Sequence, residues 1–124
     1  MNLELEHIDT NIYVKHYDNE CIQLNGAKYT NNLIFSQDEI INDDWQATDI
    51  NQISEADIAV LINHPAEVLI LGTGAKTQIP PQKVLIACAR AGRSIDFMSS
   101  DAACRTFNIL AQEGRRVVAA IFLK

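Results

Sequence analysis

The chain has 124 residues, 48% of them hydrophobic, with a net charge of −6 and a pI near 4.9. That length suits one domain with its own core, unaided by metal or disulfide staples, and the composition excludes a disordered chain. The acidic balance argues against nucleic acid as a partner, and the longest apolar run, seven residues at 117–123, falls far short of the roughly 18 a membrane span needs.

Met1 to Glu6 lacks the basic segment and apolar stretch of a secretory signal, so a cytoplasmic protein without membrane insertion is expected. Charge divides unevenly along the chain. Residues 1–63 hold twelve acidic and two basic side chains, whereas residues 64–124 hold four and eight. The acidic half reads either as a solvated surface or as a face for a basic partner. Cys21, Cys88 and Cys104 are odd in number and form no C-x-x-C pair, which suits a reducing compartment. His7, His16 and His64 stand at helical ligand spacing from no other histidine or cysteine, so no metal or other cofactor is expected.

Residues 1–50 read as mainly β. The segment 12–17 is rich in β-branched and aromatic residues, and Asp18-Asn19 turns it into 21–24. Asn25-Gly26 is a strong hairpin signal, since both residues tolerate positive φ. A strand is expected over 28–35, followed by short apolar pieces at 40–41 and 45–47 that complete a meander. Trp45 reads as core or lid.

Residues 51–124 read as αβαβαβ. Ser54 and Asp57 form a capping box, with Ile53 and Ile58 as the staple. That helix must stop before His64-Pro65. A continuously apolar strand at 67–71 follows, then a helix from Pro80-Pro81 to Gly92. A strand at 94–98 leads into a helix capped by Ser99 or Ser100, with Ala103, Phe107, Leu110 and Ala111 inside. A strand at 116–123 closes the chain.

Strand–helix–strand order makes the strands at 67–71 and 94–98 parallel, so the turns after them share one sheet edge, where crevices form. Gly72-Thr73-Gly74 is either a tight turn that needs glycine or a backbone contact for an anion or small ligand. It is no nucleotide loop, because neither a third fingerprint glycine nor G-K-[ST] follows. At the second turn the free N–H groups of a helix start, with Ser99, Ser100, Arg105 and Asn108, would suit an anion. Cys104, beside Arg105 in the first turns of that helix, is either a reactive thiolate or a small apolar filler. Asp43-Asp44 reads as a solvated turn, and no hydrolytic triad is present, so no catalytic residues are assigned.

The ordered set Val68-Leu69-Ile70-Leu71-Gly72-Thr73-Gly74, the helix from Pro80 to Gly92, Asp96 to Met98, Ala103 to Leu110 and Glu113-Gly114-Arg115-Arg116-Val117 resembles the family containing mitochondrial complex I assembly factor 3, the adipogenesis-associated Mth-domain proteins and small bacterial and archaeal proteins. Gly26, Tyr29, Leu33-Ile34 and Trp45 extend the resemblance over almost the whole chain. Asn32 departs from it, standing where members usually carry a small residue, and the mitochondrial and animal relatives vary at the positions of Cys104 and Arg105. The resemblance implies an α/β three-layer fold, a mixed central sheet flanked by helices with an extra N-terminal β portion. It implies no established catalysis. It points to a non-enzymatic assembly protein whose partner belongs to a respiratory or membrane complex, and leaves a homo-oligomer open. The alternative from the residues themselves is a small-ligand or anion-binding protein, enzyme or not, using the crevice between 72–74 and 99–108.

Overall fold

A computed structural model describes residues 11–124; the acidic Met1 to Glu6 segment and His7 lie outside the described residues. Five strands form a mixed sheet in the order β5-β4-β8-β6-β7. They are β4 (Leu33–Ser36), β5 (Ile40–Asn42), β6 (Val68–Thr73), β7 (Ile95–Met98) and β8 (Val117–Phe122). β6 pairs parallel with both β7 and β8, while β4 pairs antiparallel with β8 and β5. A separate antiparallel sheet holds β1 (Val14–Tyr17), β2 (Ile22–Leu24) and β3 (Ala27–Tyr29).

The layers follow from the period-two geometry of β6. Leu69 and Leu71 point to one face, where Ile58 and Leu61 of α1 (Glu55–Asn63) and Val84 and Cys88 of α2 (Gln82–Arg90) cover them. Val68 and Ile70 point to the other, covered by Ala103 and Phe107 of α3 (Ser100–Gln112) and by Val14, Ile22 and Leu24 of the small sheet. Every residue of β6 and β8 is buried, as an apolar run demands when both faces are covered. The three-layer arrangement with an added N-terminal β portion is the one expected.

Local signals set the helix bounds. Ser54 Oγ accepts from the Asp57 N–H at 3.2 Å and Asp57 Oδ2 accepts from the Ser54 N–H at 2.9 Å, completing the capping box. α1 ends at Asn63, before Pro65. Gly92 follows α2 with φ of 71°. Asn25 has φ of 52° in the β2–β3 turn.

Three expectations need correction. The strand expected over 28–35 is broken, because β3 ends at Tyr29 and β4 starts at Leu33 in a different sheet. Three polar residues, Thr30, Asn31 and Asn32, make the passage. Residues 45–47 form no strand; Trp45 instead packs its ring on Phe122, centroids 4.9 Å apart. Gly72 and Thr73 belong to β6 and not to a turn, since they pair with Ile121 and Phe122 of β8.

Candidate functional site at the carboxyl edge of the sheet

β6, β7 and β8 all end on one edge. The connection from β6 to β7 carries α2 on one face, and the return from β7 to β8 carries α3 on the other, with β8 beyond β6. Such reversals open crevices at the strand ends. The two turns expected to meet there do meet: Ser100 N–H donates to the Gly74 carbonyl at 2.8 Å.

Their polar groups are engaged with one another. Gly74 N–H donates to Ser100 Oγ (2.9 Å), and the buried Ser100 hydroxyl donates to the Phe122 carbonyl. Thr73 Oγ1 donates to the Lys76 carbonyl (2.7 Å) and accepts from the Gln78 N–H (3.0 Å). Ser99 caps α3, its Oγ accepting from the Ala102 N–H at 3.3 Å. Close approach also explains both glycines. A Cβ at Gly72 would stand 2.8 Å from Ser100 Oγ, so this glycine lets the start of α3 press on β6. At Gly74 φ is 99°, and a Cβ would collide with the Lys124 carbonyl.

Arg105, Asn108 and Cys104 lie one to two turns farther along α3, beside a shallow groove against β1. Arg105 pairs with Asp101 at 2.8 Å on the exposed side. The Asn108 amide is a clamp: its Oδ1 accepts from the Val14 N–H and its Nδ2 donates to the Val14 carbonyl, both at 2.8 Å. Cys104 is buried, and burial pushes its thiol up to about 12, with Asp101 acting in the same direction and Arg105 opposing. At neutral pH it is a protonated filler, so desolvation overrides the helix-start position that suggested a thiolate.

The open space at this edge lies on the other side of β8. A cleft of about 300 Å³ runs between the end of β8, the start of β4 and the segment 44–48. Trp45 and Phe122 contribute its apolar lining, and Glu20, Asn31, Gln46 and Lys124 are among its polar residues. Asn32 builds one wall. Its Nδ2 donates to the Ala47 carbonyl (2.8 Å), its Oδ1 accepts from the Leu123 N–H (2.9 Å), and its own carbonyl accepts from the Trp45 N–H (2.8 Å). A small residue could make only the backbone bond of these three. The sequence reading missed this cleft because it considered only the ends of the strands now named β6 and β7; the polar run Thr30-Asn31-Asn32 ahead of an apolar strand was the available signal.

Arg93, just beyond α2, is another residue whose part in the fold is not visible in the sequence. Its guanidinium donates to the carbonyls of Ile62 (3.0 Å), His64 (2.7 Å) and Ala66, fixing the turn between α1 and β6.

Known proteins share this architecture. A "13 kDa major membrane protein" of Francisella tularensis subsp. holarctica is 33% identical over 117 residues, 94% of this chain and 95% of that protein. The human NADH dehydrogenase [ubiquinone] 1 alpha subcomplex assembly factor 3 is 25% identical over 112 residues, and the match spans 89% of this chain but only 60% of that protein. Among solved structures, a Xanthomonas campestris protein superposes with a TM-score of 0.80 at 32% identity, covering 99% of this chain and 92% of the other. A Mth938-like domain from Bordetella pertussis, at 24% identity and a TM-score of 0.72 over 93% and 89% of the two chains, shares the fold. These matches bear out the resemblance read from residues 68–117. With its family model matching residues 14–122, the chain belongs to the family described as protein of unknown function (DUF498/DUF598).

Proposed function

We propose that this chain is a non-enzymatic interaction protein that aids assembly of a respiratory or membrane complex and holds a protein partner at the cleft beside β8. The observation that carries this reading is the similarity to complex I assembly factor 3 over nine-tenths of the chain. The cleft supports it: amide, carboxylate and ammonium groups around an aromatic floor suit a polar protein segment with one apolar anchor. Among the described residues no helix is long and apolar enough to cross a membrane.

A photo-crosslinking residue at Gln46, exposed in the cleft, tests it in native membranes. Adducts with subunits of a membrane complex are expected at Gln46 and not at Lys28, an exposed β3 residue that is not part of the cleft lining. Equal labelling from both positions would refute the cleft as the docking site. Calorimetric titration with phosphate tests the rival reading in the same protein. Saturable binding that disappears in Arg105→Ala would favour an anion site over the assembly role.

A further inference from the structure

The β1–β2 hairpin brings together an imidazole, a carboxylate and a thiol. One nitrogen of His16, one oxygen of Asp18 and the sulfur of Cys21 all lie within 4.8 Å of one another. His16 Nε2 and Asp18 Oδ2 are 3.0 Å apart. The turn fixes the carboxylate: Asp18 Oδ1 accepts from the N–H groups of Glu20 (2.8 Å) and Cys21 (2.9 Å), which leaves Oδ2 facing the imidazole. The Asp18 N–H donates to the Cys21 carbonyl at 3.0 Å and closes the loop. Cys21 is half-buried and free, whereas Cys88 and Cys104 are buried.

We propose that this hairpin binds a borderline-soft divalent transition cation of the Zn2+ class through His16, Asp18 and Cys21. Metal–ligand bonds of about 2.0–2.3 Å place tetrahedral ligand atoms roughly 3.3–3.8 Å apart, so the observed spacing closes on an ion by side-chain rotation alone. Nitrogen and sulfur donors select such a cation over Mg2+ or Ca2+, which prefer oxygen. Cys21 binds as the thiolate and gives its proton to solvent, and the fourth position faces water. The site borders the proposed partner cleft, whose lining includes the turn residues Asn19 and Glu20, but His16, Asp18 and Cys21 themselves are not part of that lining. A search for helical ligand spacing between a histidine and another histidine or cysteine cannot find it, because Cys21 stands five residues after His16 around a turn.

The test uses the full chain without a purification tag, stripped of metal by a chelator and titrated with Co2+ alone. One equivalent should saturate a sulfur-to-cobalt charge-transfer band, and Zn2+ should displace it. Cys21→Ser should abolish the band, while Cys88→Ala leaves it unchanged. His16→Ala and Asp18→Asn should each weaken binding tenfold or more. Asp18→Asn is informative because asparagine retains an oxygen for the two turn N–H groups and loses only the anionic ligand. Circular dichroism confirms that each variant is folded. A folded wild type with no charge-transfer band, or a Cys21→Ser variant that keeps it, would overturn the proposal.

Discussion

Asn108 spans ninety-four positions of sequence to reach Val14, and its amide pairs with that residue's N–H and carbonyl as a neighbouring strand would. Gln37 acts in a similar way at the start of β8, its Oε1 accepting from the Val117 N–H at 2.8 Å and its Nε2 donating to the Arg115 carbonyl. Asn32 joins β8 to the segment at 45–47. Amides suit these positions because one planar group offers both a donor and an acceptor. Asn108→Leu strands both backbone groups of Val14, which should cost on the order of 1–3 kcal/mol. Hydrogen exchange at Val14 should accelerate more than exchange in β6. Unchanged exchange at Val14 would mean that the clamp does not hold the small sheet. This role was not legible in sequence. An asparagine two turns into a helix serves a ligand or a distant backbone equally well, and its partner here lies across the fold.

Elements, by contrast, were legible wherever their signals are local. The capping box of α1, the proline that ends it and the glycine after α2 act within a few residues, and each reads correctly. The break at 30–32 depends on which of two sheets each strand joins, and hydrophobic pattern alone does not encode that choice. α3 was readable because its buried stripe keeps helical period. Phe107 is fully buried and meets Phe35 edge-on, centroids 4.8 Å apart at 69°. Phe107→Ala should therefore cost about 3–5 kcal/mol in urea unfolding, from lost burial plus the cavity left against β4. A loss below about 1 kcal/mol would mean that the layer collapses around the gap. The edge of the sheet that carries the candidate site was also legible, from the parallel pairing of β6 with β7. Its open cleft was not, because the space lies beside β8, whose position in the sheet depends on the return crossover.

At the scale of the molecule the acidic and basic halves meet where α1 gives way to β6. Arg93, from the basic half, grips the carbonyls of Ile62, His64 and Ala66, and Arg116 faces Asp38 at 3.4 Å. His64 sits in this junction with its Nδ1 accepting from the Ala66 N–H at 3.0 Å, a bond only an unprotonated Nδ1 can accept. Burial first, then the positive charges of Arg116 and Arg93, hold its pKa below the ordinary 6.5; Glu39 and Asp38 oppose them. The unfolded chain therefore takes up this proton before the folded one does. Stability from neutral His64 is present above pH 6.5, declines as pH falls through the window below it, and is fully lost beneath the depressed folded value. His64→Asn keeps an acceptor for Ala66 and cannot titrate in that window. On acidification from pH 7.5 to 5, wild type should lose denaturation midpoint relative to this variant, the other titrating groups being common to both. A wild type that gained on the variant instead would show that the carboxylates of the acidic half outweigh burial and the arginines at this junction.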